Sequence, residues 1–259
     1  MLADCRWNCT RRMGIGDKAV VVGALQELKR GGVDVAARWN EADGWLFEAG
    51  FIRQWQEGEE TDGRNYLPMR DHCMAVPQGE TLATVEAIDE AAPHPIWRVL
   101  WGMGLEGYAD ETKPRLHLVG NTWGGAGAIW FPIEVSRGGD AVPMEFWDWA
   151  VRTMSRRWGR VTMACAHGEE ERCRAIRSQL SREGREAVEE CPWAGKRPAD
   201  MLYRVSTADA VLTGNSGALW LSIGVNTPVW CIQRRQEIPH GKMWQARCWP
   251  GLRIFVTTI

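Results

Sequence analysis

From Ala210 to Ile232 the chain reads as a strand, a sharp turn, a helix and a second strand. The pieces are the apolar run Ala210-Val211-Leu212-Thr213, the turn Gly214-Asn215-Ser216-Gly217, an apolar segment ending at Gly224, and Val229-Trp230-Cys231-Ile232 after Thr227-Pro228. Two short strands joined by a helix are parallel neighbours in one sheet, and the helix then begins at the carboxyl edge of that sheet. Its first turn offers backbone N–H groups with no partner inside the helix, at the positive end of the helix dipole. Such a turn suits a phosphate. It equally suits plain capping, since Asn215 and Ser216 are both good N-cap residues.

The same order of elements recurs through the chain. Asp4 to Thr10 alternates loosely as a first strand, with Cys5, Trp7 and Cys9 apolar, and Arg12-Met13-Gly14-Ile15-Gly16-Asp17 forms a turn. A helix follows from Lys18 to about Lys29 with the stripe Val21, Val22, Ala24, Leu25 and Leu28, and Gly31-Gly32 ends it. Val33 to Ala37 is the next strand. Asp17 therefore sits at a helix N-terminus, where a carboxylate is favoured by the dipole whatever else it does.

Glu41 to Phe51 reads as a weak helix, Glu57 to Arg64 as an acidic loop, and Tyr66 to Gln78 as either strand or loop. Thr81–Ala91 and Ile96–Gly104 have helical patterning, and Gly107–Pro114 has the polarity of a linker. Ala128 to Val135 is an apolar strand, bent or edge-placed at Pro132. Ser136-Arg137-Gly138-Gly139-Asp140 is a turn able to hold an anion. Met144 to Trp158 is the clearest helix, with Trp147, Ala150, Val151, Met154 and Trp158 on one face and Gly159 as its stop. Val161 to Cys165 is a strand, and a helix carrying Cys173, Ile176 and Leu180 follows Glu169-Glu170-Glu171. A short helix at Ala199 to Val205 leads back to Ala210. Strands alternating with helices predict an α/β protein with parallel sheets, two of them in a chain of this length.

Charge divides the chain at the linker. Residues 1–115 carry 13 Lys and Arg against 19 Asp and Glu, whereas 116–259 carry 18 against 14. The basic second half is the natural host for an anionic ligand, and the acidic first half disfavours a polyanion. The eight cysteines form no C-x-x-C pair, which argues for reduced, mostly buried thiols and against a disulfide framework or a zinc site. No apolar run is long enough for an integral membrane segment, and the first residues lack a signal-peptide core, so the expected location is cytoplasmic. The 16 tryptophans are read as core and rim packing.

Three separated motifs resemble the family-9 glycosyltransferases, the heptosyltransferase group. Gly14-Ile15-Gly16-Asp17 before an apolar helix is similar to the family's opening Gly-x-Gly-Asp turn. Trp101-Gly102-Met103-Gly104-Leu105 with Lys113-Pro114-Arg115-Leu116 resembles the end of its first domain. Thr213-Gly214-Asn215-Ser216-Gly217 through Gly224-Val225-Asn226-Thr227-Pro228 is similar to its Asn-Asp-Ser-Gly…Gly-Thr-Pro signature. Pro143-Met144-Glu145-Phe146-Trp147 resembles the family's Pro-x-Glu-x-Trp helix start. Asn215 stands where the family usually has Asp, Trp220 where it has His, and Asp140 where it has a lysine, leaving Arg137 as the nearest cation.

The resemblance implies two Rossmann-like domains with parallel sheets facing across a cleft, the GT-B arrangement, here 1–115 on the acceptor side and 116–259 for the nucleotide sugar. It implies transfer of a sugar from a nucleotide-diphosphate sugar to an acceptor hydroxyl, with inversion and without metal or other cofactor. Asp17 then takes the role of general base, and Ser136, Arg137, Asn215, Ser216 and Gly217 bind the donor. Gly14, Gly16 and Trp220 line the acceptor side or the cleft. The acceptor is left open among a glycan, a lipid-linked saccharide and a modified DNA base, the last as in phage-type enzymes. A catalytically degenerate nucleotide- or sugar-binding module is the competing expectation.

Overall fold

The computed structural model describes residues 4–9, 14–56, 59, 66–68, 75–77, 96, 100, 116–120, 125–132, 142–214, 216–234 and 252–257. The helix expected at Thr81–Ala91, the linker 107–114, the turn 136–140 and Asn215 lie outside them. The chain divides into two compact units, one built on Met1–Val119 and the other on Gly120–Gly241 with Trp249–Ile259.

In the first unit, β1 (Asp4–Cys9) leads through the glycine turn into α1 (Ile15–Arg30) and then β2 (Asp34–Trp39). A 3₁₀ turn and α2 (Gly44–Ala49) precede β3 (Arg53–Gln54), and β4 (Tyr66–Pro68) and β5 (Ala75–Pro77) complete the sheet. Its order is β3-β2-β1-β4-β5. All pairs are parallel except β4–β5, which resolves the ambiguous segment 66–78 into a short antiparallel pair at one edge. Two three-residue strands carry too little alternation to be read as strands from sequence.

Sequence periodicity gives α1 one apolar stripe, yet the helix is buried on nearly every side from Lys18 to Leu28. Its polar residues are accommodated individually. The Lys18 ammonium pairs with Asp43, Glu27 pairs with Arg30, and the Gln26 amide donates to Gly50 O at 2.9 Å and accepts from His117 N at 2.9 Å. Paired in this way, polar groups can enter a core without leaving an unmet hydrogen bond. Ile96 and Leu100, one helical turn apart, are helical and buried, and Gly23 makes room for Ile96 against α1.

The second unit carries β6 (Ala128–Phe131), α3 (Met144–Trp158), β7 (Val161–Ala166), α4 (Glu170–Ser178) and α5 (Arg182–Ala187). It continues with β8 (Trp193–Gly195), α6 (Pro198–Thr207), β9 (Ala210–Thr213), α7 (Gly217–Gly224), β10 (Val229–Arg234) and β11 (Leu252–Thr257). Its sheet order is β11-β10-β9-β6-β7-β8, with every pair parallel. Counted within the unit this is 3-2-1-4-5-6, the Rossmann order. Helix α3 begins and ends where the sequence places it, after Pro143 and before Gly159, whose φ of 81° suits a residue without Cβ. Trp147, Ala150, Val151 and Met154 pack with Trp130 and Trp230 in one core cluster. The Trp130 and Trp147 rings meet at 5.6 Å.

Asp148 fastens α3 to the start of α5. One carboxylate oxygen accepts from Ser181 N at 2.8 Å and from Ser181 Oγ at 2.7 Å, while the other meets Arg152 at 2.9 Å. Gly184 permits the approach, since a Cβ there would lie 2.1 Å from Asp148 Oδ1. Asp148→Ala removes the buried carboxylate that accepts from both the Ser181 hydroxyl and its N–H, so it is expected to lower stability by about 2 kcal/mol. Urea denaturation followed by tryptophan fluorescence checks this.

Cys5, Cys165, Cys173 and Cys231 are buried, and Cys191 is exposed, with none of the five in a disulfide. Burial pushes the Cys165 and Cys173 thiols up, away from the reactive thiolate. Among the described residues, no helix is long and apolar enough to cross a membrane.

Candidate functional site

Each sheet has one point where the chain changes direction, and the candidate residues leave the sheets there. In the first sheet β1 lies between β2 and β4, with Trp7 in register with Tyr66, so the loop after β1 opens at the reversal of strand order. In the second sheet β6 and β9 are neighbours, and their last residues, Phe131 and Thr213, are register partners. From there the chain runs to β7 on one side and to β10 on the other. Open parallel sheets bind ligands at such points, in the crevice beyond the strands' carboxyl ends.

At the first point, Gly14 is the N-cap of α1 with extended backbone (φ −63°, ψ 156°) and supplies no side-chain cap. Lys18 N donates to Gly14 O at 3.1 Å, which closes the first helical turn. Asp17, the third helical residue, folds its carboxylate back over that turn: a Cβ on Gly14 would stand 3.2 Å from Asp17 Oδ2. Gly14 is exposed, and Gly16 and Asp17 are half-buried. The carboxylate thus lies at the positive end of α1, where the dipole favours its charge. It also remains within reach of solvent.

At the second point, Thr213 ends β9 in register with Phe131 on one side and Cys231 on the other. Ser216 is the N-cap of α7 (φ −140°, ψ 176°), yet its side chain makes no capping bond. Its Oγ lies 2.7 Å from Thr213 Oγ1, and Leu219 N donates to the Ser216 carbonyl at 3.2 Å. The N–H groups of Gly217 and Ala218, in the helix's first turn, have no acceptor among the described residues. Helix α7 is apolar and buried from Ala218 to Gly224, which holds its N-terminus rigidly against the sheet. Asn226, at φ 58°, turns the chain out of the helix in the left-handed conformation that Asn tolerates, and Thr227 Oγ1 donates to Val205 O at 2.9 Å.

The structure brings Ser216 and Gly217 together at one helix end and places Trp220 one turn further on. Trp220 is 5% exposed, so little of its ring is accessible. Ser136 and Arg137, which follow β6, and Asn215 lie outside the described residues. The strands that precede them, β6 and β9, are adjacent. Thr213 belongs to the motif, and the resemblance implies no role for it. The spacing Thr-x-x-Ser across a strand end and an N-cap is the signal that could have singled it out. Among the described residues, no group of three or more His, Cys, Asp or Glu side chains could hold a metal ion.

No protein-family model and no curated protein matches the sequence. Solved structures do match the fold. A family 9 glycosyl transferase from Veillonella parvula aligns with a TM-score of 0.61 at 12% identity, over 99% of this chain and 87% of that one. The E. coli ADP-heptose lps heptosyltransferase II aligns with a TM-score of 0.56 at 10% identity, over 97% of this chain and 90% of that one. The E. coli heptosyltransferase WaaC, solved with ADP, gives 0.53 at 12% identity, over 98% and 91%. The chain therefore has the α/β fold of these glycosyltransferase structures, in two units, one on an all-parallel sheet and one on a sheet parallel but for β4–β5.

Proposed function

We propose that the protein is a glycosyltransferase that moves a sugar from a nucleotide-diphosphate sugar to an acceptor hydroxyl, with inversion and without a resident metal. The observation that carries the reading is the pair of sheet reversals. One presents a carboxylate, Asp17, and the other an N-terminal helix turn with unpaired N–H groups, in a fold shared with structures whose names specify ADP or ADP-heptose.

In the reaction, Asp17 accepts the acceptor's O–H proton as that oxygen bonds to the anomeric carbon. The bond from that carbon to the diphosphate oxygen breaks, and the electron pair leaves with the diphosphate. Charge grows on the leaving group, and the N–H groups of Gly217 and Ala218, the Ser216 hydroxyl and the Arg137 guanidinium offset it. Ser136 and Asn215 flank the same donor. Gly14 and Gly16 keep the acceptor side of Asp17 open, and Trp220 holds α7 in place. The acidic composition of 1–115 favours a glycan or lipid-linked saccharide over a DNA base, because a polyanion needs cationic surface. Free thiols at Cys165, Cys173 and Cys191 fit a reducing, cytoplasmic setting.

Thermal unfolding with ADP, GDP, UDP and their sugar conjugates tests the donor site. One nucleotide class, at about 100 times its Kd, is expected to stabilise the protein by about 2.7 kcal/mol. Absence of any shift overturns the reading. Binding without hydrolysis or transfer would instead identify a degenerate binding module.

A further inference from the structure

We propose that Thr213 is a positioning residue for the donor's diphosphate. Its buried hydroxyl donates to Ser216 Oγ, which frees the Ser216 proton for the anionic ligand. The inference rests on the donor-site reading above and assigns a part of that site no motif assigns.

Two hydroxyls 2.7 Å apart share one hydrogen bond but own two protons, so one proton must go elsewhere. Burial decides which. Thr213 is 0% exposed at the end of a central strand, and its hydroxyl has no second partner among the described residues. Were Ser216 to donate, the Thr213 proton would be left in the interior without an acceptor, the costly outcome for a buried polar group. Ser216 is half-buried, and its proton can reach solvent or a ligand. The bond therefore runs from Thr213 to Ser216.

The second consequence concerns capping. A serine at an N-cap ordinarily accepts from an N–H in the helix's first turn. Ser216 makes no such bond. With its oxygen engaged by Thr213, it is withdrawn from self-capping and becomes a donor. Its O–H joins the N–H groups of Gly217 and Ala218 as a third donor at the helix end. A diphosphate, which offers only acceptors, can take all three. The incoming bond from Thr213 also polarises Ser216 and strengthens the hydrogen bond it gives.

Calorimetric titration with ADP, GDP and UDP, continued with whichever the wild type binds, tests the relay. Thr213→Val keeps shape and removes the hydroxyl, and it is expected to weaken binding about 5- to 10-fold with a melting temperature near that of the wild type. Thr213→Ser restores the hydroxyl and is expected to bind within about 2-fold of wild type. On a Ser216→Ala background, Thr213→Val is expected to change affinity by less than about 2-fold, because the group it acts through is gone. Wild-type affinity in Thr213→Val, or independent, additive losses in the double variant, overturns the relay while leaving the donor site standing. Wild-type affinity in Ser216→Ala overturns it without requiring Thr213→Val to fold. Wild-type protein that binds none of the three nucleotides overturns the donor site itself.

Discussion

Asp17→Asn is expected to lower kcat about 10²- to 10⁴-fold, the range for loss of a positioned general base. The substitution preserves size and keeps a polar group in the first turn of α1, so the helix should remain formed. What it removes is the capacity to take a proton and a charge at the helix's positive end, worth about 0.3–1 kcal/mol of stability. The two roles of the carboxylate therefore separate by readout. If Asp17 only caps α1, the variant loses a small increment of melting temperature and keeps its turnover. If it is the base, turnover collapses while nucleotide affinity stays within about 2-fold, because the nucleotide is assigned to the other unit. Titration and steady-state kinetics on one preparation distinguish the cases, and an unchanged kcat removes Asp17 as base.

The parts of the structure legible in the sequence are those where a single local rule governs. Helix α3 is amphipathic, preceded by Pro143 and stopped by Gly159, and periodicity alone locates it. Strand β9, the turn after it and α7 are equally plain, because a four-residue apolar strand must end before Gly214 and Ser216 is a natural cap. Helix α1 is plain in the periodicity but its burial on nearly every side is not, since Lys18, Gln26 and Glu27 look like a solvent face until their partners at Asp43, Gly50, His117 and Arg30 are known. Strand β6 stops at Phe131, before Pro132, sooner than its apolar run to Val135 suggests, because proline has no N–H for the ladder. Helix α5, carrying Gly184 and mostly charged residues, has no apolar face to announce it and is held by Asp148 and the Ser181 cap. Strands β8 and β11 are recruited by pairing with β7 and β10, a long-range cause that no local window contains. At the candidate site, Ser216 and Gly217 were legible from turn chemistry. The part of Thr213 was not, since it depends on which of two hydroxyls the fold buries.

Gly217→Pro is expected to leave the fold intact while weakening nucleoside diphosphate binding about 10- to 100-fold, the value of a charge-assisted hydrogen bond. The position makes proline an unusually clean probe. Gly217 is the first residue of α7, where the N–H has no partner within the helix and a fixed φ near −65° fits. Ser216 before it is already extended, with φ −140° and ψ 176°, the region to which a following proline confines its neighbour. The substitution thus deletes one N–H from the proposed diphosphate site without opposing the local backbone. Gly217→Ala is the control, because it adds a Cβ and keeps the N–H. If alanine weakens binding as much as proline does, crowding at the helix end is the cause and the N–H contributes nothing measurable. If proline binds like wild type, the diphosphate is held elsewhere, and the first turn of α7 serves only to begin a buried helix. A large loss with proline, a small one with alanine and matched melting temperatures would leave the N–H as the group that differs.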